Sequence, residues 1–311
     1  MRIAVSAVVV LAVLIAGLVA FDRFAPYTAA RMGVSLEQGR SGLHEARASI
    51  PGFELPYLEG GQGEPLLLIH GFGADKNNFT RIARFLTPHY RVIAPDLPGF
   101  GAASKPDSVT YTIAEQVERL RAFAQGLGLK KLHLGGSSMG GAIATTWAAR
   151  YPDEVASLWL LAPAGTAAAF DSELRRHYQE TGEILLVAKT PEDHLRIMGF
   201  VMSHPPLLPY SVKRVLGERA AADYPLHSKI FAALNQEPPI ESWATRIETP
   251  TLIVWGTEDR ALNPKGAEAL KAIMPHASAI LMPGIGHLPM IEAVGQSAGD
   301  YLAFRKQLAG S

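Results

Sequence analysis

The chain of 311 residues contains no cysteine. That excludes disulfides, thiolate metal sites and lipid attachment through a cysteine near the amino terminus. It also lacks an excess of either charge, with 29 Lys and Arg against 29 Asp and Glu. Neutrality without a basic cluster argues against nucleic acid as a partner. The histidines and carboxylates show no ligand spacing such as H-E-x-x-H, so no metal and no cofactor is expected. Hydrophobic residues make up 48% of the chain, ample for one large core or two small ones.

One stretch lacks charge altogether. Residues Ile3 to Phe21, "IAVSAVVVLAVLIAGLVAF", would form a helix about 28 Å long, close to the hydrocarbon thickness of a bilayer. A cleaved signal peptide is the alternative. Its apolar part is usually shorter and ends in small residues, whereas a cut after Ala20 here puts Leu18 three positions before the site. An uncleaved transmembrane anchor over residues 1–21 is therefore expected. Phe24, Tyr27, Arg23 and Arg31 follow it and suit the interface, in a juxtamembrane helix within 22–43, where Pro26 fits a first turn or a kink. Ala12, Ala16 and Ala20 share one helix face, and Gly17 lies beside it. That spacing lets two membrane helices pack, so a homodimer through residues 3–39 is expected. By the default for such anchors, the rest of the chain faces the periplasm of a bacterial inner membrane.

From residue 44 the pattern is α/β. "HEARASI" and "GFELPYLEGG" read as antiparallel strands. "PLLLIH", "RVIAPD", "KLHLGGS", "VASLWLLAP", "TLIVWG" and "SAILMPG" are short apolar runs bounded by turns, as buried parallel strands are. Helical segments alternate with them, which implies a mostly parallel central sheet flanked by helices over 44–165 and 248–311. Residues 166–247 break the alternation. They read as helices near 168–187, 191–202, 210–222 and 224–235, an inserted cap. Within it "MGFVMSHPPLLPY" is unusually apolar, and Phe200, Met202, Leu207 and Leu208 are candidate walls of a substrate pocket, or simply the contact of cap and core.

"GGSSMGG", Gly135 to Gly141, sits between a strand and a helix and holds two serines. G-x-S-x-G fits one register only, Gly136 to Gly140, which makes Ser138 the candidate nucleophile and Ser137 its neighbour. A serine hydroxyl needs a base, and the base an orienting carboxylate. His287 in "GIGHLPMIE" follows the last strand, and Asp259 in "WGTEDR" follows the one before, with Glu258 as a rival acid. The backbone amides of Phe72, in "HGFG", and of Met139 are candidates for an oxyanion hole. His70 reads as structural.

The chain resembles the α/β-hydrolase superfamily, in its capped serine esterase and lipase branch. "HGFGADKNNF", "DLPGFG", "GGSSMGG", "WGTED" and "GIGHLP" match its blocks in order and spacing, across residues 44–308. The resemblance implies the α/β-hydrolase fold, with Ser138 as nucleophile, Asp259 as acid, His287 as base, and Phe72 and Met139 as oxyanion donors. It gives Asp96 a role in ordering its loop. One departure is Ser137, where the family often has histidine. With its N-terminal span the chain is similar to single-span bacterial inner-membrane lipases and phospholipases A. Hydrolysis of lipid acyl esters is expected, by phospholipase A, lysophospholipase or lipase chemistry. A carbon–carbon bond hydrolase and a catalytically dead lipid-binding scaffold are the alternatives.

Overall fold

The computed structural model describes the backbone of residues 2–310 and the side chains of residues 9–310. Helix α1 (Arg2–Phe24) leads into α2 (Pro26–Arg40). Pro26 stands at the start of α2, where its missing amide costs nothing, and the two helices meet at 112°. The uncharged span expected over Ile3–Phe21 lies in α1, and its first residues fall outside the described side chains, as do Met1 and Ser311. Among the described residues no single helix is long and apolar enough to cross a membrane; Val9–Phe24 and Pro26–Arg40 meet the length and composition test only together. The large apolar side chains of α1, from Val9 to Val19, are more than half exposed, and among the described residues none of them joins a core cluster.

Eight strands form one sheet in the order β1 (Leu43–Ile50), β2 (Phe53–Gly60), β4 (Tyr90–Pro95), β3 (Glu64–Ile69), β5 (Leu132–Ser137), β6 (Val155–Leu161), β7 (Thr251–Gly256), β8 (Ala277–Met282). The β1–β2 and β2–β4 pairings are antiparallel, and all the others are parallel. Each apolar run anticipated from the sequence is a strand. The central ones are buried on both faces because helices cover both, and this is why they read as continuous apolar runs instead of alternating ones. One core cluster, with Trp147, Phe123 and Trp255, fills one face; the other face is filled by Trp159 stacked on Tyr301 at 4.5 Å between ring centroids.

The flanking helices are α3 (Thr80–Leu86), α4 (Ile113–Gly126), α5 (Met139–Arg150), then, after the insertion, α12 (Lys265–Ile273), α13 (Pro289–Glu292) and α14 (Val294–Ala309). Thr112 and Glu115 close a capping box at the start of α4, satisfying donors that the helix leaves unpaired. The insertion between β6 and β7 holds α6 (Ala167–Phe170), α7 (Glu173–Thr181), α8 (Asp193–Val201), α9 (Tyr210–Ala222), α10 (Tyr224–Leu234) and α11 (Glu241–Ala244). The helix expected over 168–187 is split and shortened. Ser172 accepts the Arg175 amide and starts α7, and Gly182, at φ 72°, ends it.

Candidate active site

Between β5 and α5 the chain turns so sharply that Ser138 takes φ 54°, ψ −119°. A side-chain-bearing residue in that region carries about 1–3 kcal/mol of strain and persists only where its surroundings hold it. Here the Ser138 amide donates to the Leu161 carbonyl at 3.0 Å, and the Ser138 carbonyl accepts the amides of Gly141, Ala142 and Ala164. The glycines of the motif follow from close approach. A Cβ on Gly136 would lie 2.2 Å from the Gly140 carbonyl oxygen, and one on Gly140 would lie 2.1 Å from that of Ile69. Larger residues would force the turn apart and lower the serine from its position over the strand ends.

His287 and Asp259 stand on loops after β8 and β7, and both are buried. Their side chains meet at 2.6 Å, His287 Nδ1 to Asp259 Oδ2. Asp259 is held from four directions. Oδ2 also accepts the Trp255 indole N–H at 2.9 Å, and Oδ1 accepts the amides of Ala261 and Leu262 at 2.9 Å each. The carboxylate acts as the acceptor toward all four of these partners. It leaves His287 Nδ1 as a donor and frees Nε2 to take a proton. Glu258 is exposed, and among the described residues its carboxylate meets only the hydroxyl of neighbouring Thr257.

Phe72 follows β3, and among the described residues its amide donates to no protein group. Met139 is the first residue of α5, where an amide has no partner within the helix. His70, fully buried, supports the Phe72 loop: its Nε2 accepts the Leu97 amide at 3.0 Å, so Nδ1 donates to the Gly71 carbonyl at 2.8 Å. Burial keeps this imidazole neutral by pushing its pKa below the ordinary value. Asp96 ties the same region together, accepting the Lys76 amide and ammonium and the Ala102 amide at 2.8–3.0 Å.

Two cavities meet at Ser138. Phe72, Leu186, Ser138 and His287 line both of them. The first, of about 110 Å³, is walled mainly by apolar side chains, among them Ile113, Ala142, Leu174, Phe231 and Leu262. The second, of about 240 Å³, runs between α2 and the insertion, past Val34, Val212 and Leu216. Its wall holds the ion pair of Arg219 with Asp75 and, at its α2 side, that of Arg81 with Glu37 at 2.6 Å. Burial pushes the Asp75 carboxyl up, but the guanidinium outweighs it and holds the group below the usual carboxylate range.

A family model described as the alpha/beta hydrolase fold matches residues 64–294. The chain belongs to the α/β-hydrolase fold family. This α/β-hydrolase is similar to lipase 1 of Psychrobacter immobilis, at 41% identity over 88% of each chain. It is 30% identical to a monoacylglycerol lipase of Xenopus laevis over 76% of its own length and 74% of that protein's. Its fold matches the crystal structure of a membrane phospholipase A with a TM-score of 0.90, at 41% identity and full coverage of both chains.

The site residues of this α/β-hydrolase that the sequence singled out do not all come together. Ser138, His287, Phe72 and Met139 line the cavities, and Asp259 lies behind His287. Ser137 lines neither cavity; it is fully buried, with no partner for its hydroxyl among the described residues. Of the four expected pocket residues, Leu208 lines the second cavity, and Phe200, Met202 and Leu207 line neither of the two. Ile197, Met198 and Val201 share the helix face of α8 that meets the second cavity, which turns Phe200 away into a cluster with Leu174 and Phe231, under the guanidinium of Arg260. Met202, one residue past the end of α8, is buried in the same cluster, and Leu207 is exposed to solvent.

Sequence reasoning passed over Glu292. Its side chain is fully buried at the end of α13. Oε2 accepts the amides of Ser203, His204 and Gly286 at 2.8, 2.9 and 3.2 Å, and Oε1 that of Leu288 at 3.3 Å. Gly286 and Leu288 bracket His287, whose own amide donates to the Val201 carbonyl at 2.8 Å. One carboxylate thus joins the histidine loop to the end of α8. No pattern in "LPMIE" separates it from an ordinary exposed helix glutamate. Among the described residues no cluster of His, Asp and Glu is arranged to hold a metal ion.

Proposed function

We infer that this chain is a carboxylic ester hydrolase that cleaves lipid acyl esters. The observation that carries the reading is the serine at a strained turn, open to two cavities whose walls also hold a carboxylate-bound histidine. The 41% identity to a lipase, and to a membrane phospholipase A of the same fold, supports the lipid class of substrate.

In the proposed mechanism the acyl chain lies in the first, apolar cavity, and the leaving alcohol lies in the second. His287 Nε2 takes the Ser138 hydroxyl proton as the oxygen attacks the ester carbonyl carbon. Asp259 holds the imidazole in place and stabilises its charge. The Phe72 and Met139 amides receive the developing oxyanion, each donor contributing on the order of 10²–10³ in rate. His287 then gives its proton to the leaving alkoxide, and the acyl-serine forms. Water, deprotonated by His287, attacks that ester; the fatty acid leaves and Ser138 regains its proton.

Phospholipids and lysophospholipids are the proposed substrates. The exposed apolar side chains of α1 support a membrane anchor, with α2 at the interface and residues 166–247 acting as a cap over 44–165 and 248–311. The proposed setting is a bacterial inner membrane with the catalytic part in the periplasm and two copies paired through residues 3–39. The test is fatty-acid release by the purified full chain from phosphatidylcholine, lysophosphatidylcholine and monoacylglycerol, read by mass spectrometry. Ser138→Ala should abolish release and labelling by a fluorophosphonate, and Ser137→Ala should retain most of both. Release of fatty acid from none of the three lipids by an enzyme that still labels would sink the substrate class; the reverse behaviour of the two mutants would sink the nucleophile.

A further inference from the structure

One large apolar side chain of the insertion stands almost wholly outside the protein: Leu207 is 96% exposed. It tips a loop stiffened by Pro205, Pro206 and Pro209, so its projection is built into the backbone and costs little further ordering. Its neighbours on either side, Pro206 and Leu208, line the second cavity together with Ser138 and His287. With Leu207 in solvent between two lining residues, the loop bounds that cavity on its solvent side.

The same loop is fastened to the base of α1. Tyr210 and Ser211 donate their amides to the two carboxylate oxygens of Asp22, at 3.0 and 3.3 Å, so a residue of α1 caps helix α9. Arg23 lies over the Tyr210 ring at 4.1 Å, and Tyr27 of α2 donates to Glu218 of α9 at 2.7 Å. Phe24, at the end of α1, is 86% exposed. Leu207 and Phe24 thus flank one junction, continuous with the exposed apolar helix, and the exposed arginines of α1 and α2, Arg23 and Arg31, suit lipid phosphates. A protein partner would need a far broader face than a five-residue loop, since stable interfaces bury roughly 1,200–2,000 Å².

We propose that the Pro205–Pro209 loop is a second bilayer contact, with Leu207 inserted among lipid chains beside the base of α1, so that the larger cavity opens onto the lipid surface. The proposal rests on α1 as an anchor and on a membrane lipid as substrate. It assigns Leu207 to capture of aggregated substrate, and not to the reaction.

The absence of native cysteine makes the test clean. Single cysteines are placed at Leu207, Phe24 and Leu281 in the full chain, labelled with an environment-sensitive fluorophore and reconstituted in phosphatidylcholine vesicles. Leu281 is an exposed residue of β8, at the edge of the sheet opposite β1. Doxyl-labelled phosphatidylcholine should quench the probes at 207 and 24 and leave that at 281 bright. A quenched probe at 24 with an unquenched one at 207 would leave the anchor standing and overturn the loop contact. Quenching at neither would overturn both. In parallel, Leu207→Asp should lower hydrolysis of vesicle phospholipid about tenfold while hydrolysis of a soluble short-chain ester stays within about twofold, since one buried leucine is worth roughly that factor or more in partitioning. An equal loss on both substrates would overturn the assignment by showing that the residue serves the reaction itself.

Discussion

Replacing Glu292 by glutamine changes little in size and removes one charge. The carboxylate accepts four backbone amides, three of them on Oε2. A glutamine has one acceptor oxygen, which will settle at the three-amide site, and its NH₂ then faces the Leu288 amide. The mutant loses the 3.3 Å bond, gains a donor against a donor, and loses the charge assistance on the remaining three. Hydrogen bonds to charged groups contribute about 1.5–3 kcal/mol, so a loss of roughly 2–3 kcal/mol in folding stability is expected, well inside the total of about 5–15 kcal/mol for a domain. Because the lost bond lies next to His287, the histidine should shift as well. A displacement near 1 Å costs on the order of 10²-fold when it touches the reacting geometry, and kcat should fall by roughly 10–100-fold. KM for a short soluble ester should move little, because Glu292 lines neither cavity. Urea unfolding and steady-state kinetics measure the two effects separately. A Glu292→Gln enzyme that loses stability but keeps its kcat within about twofold would refute the reasoning, leaving Glu292 as a clamp of the fold with no hold on the histidine.

Asp259→Asn should lower kcat by about 10³–10⁴, through the wrong imidazole tautomer, with Glu258→Gln near wild type; an inactive Glu258 variant would overturn the assignment of the acid. Ala142→Leu should shorten the preferred acyl chain, at about 1–3 kcal/mol of discrimination per methylene, read from a series of p-nitrophenyl esters; an unchanged profile would move the acyl chain to the other cavity. The Asp75 carboxyl is held below its unfolded value, so its pairing with Arg219 stabilises the fold fully above about pH 4 and ceases to as the pH falls through the folded pKa. Melting temperature of wild type should therefore drop more steeply with acid than that of Asp75→Asn, and parallel curves would show that the pair contributes nothing.

The sequence alone determined which runs are strands and the local turn at Ser138. Both are set by neighbours: a strand buried on both faces must be apolar at every position, and a turn at φ 54° tolerates only glycine at Gly136 and Gly140 around it. It also marked loop positions after β7 and β8 as sites for an acid and a base, since parallel strands end on one edge of the sheet. Which acid meets His287 was a matter of tertiary structure. Asp259 and Glu258 are adjacent in the chain, and only the Trp255 indole and the Ala261 and Leu262 amides aim one of them inward. The insertion was legible as helices but not as walls. Hydrophobicity marked Phe200, Met202, Leu207 and Leu208 alike, and an apolar side chain reads the same whether it fills a core, lines a cavity or faces outward. The rotation of α8 and the course of the proline loop divided them. Glu292 was decided by the fold alone, because its four partners come from two segments far apart in the chain, 203–204 and 286–288, and only their packing turns a helix-end glutamate into a buried acceptor.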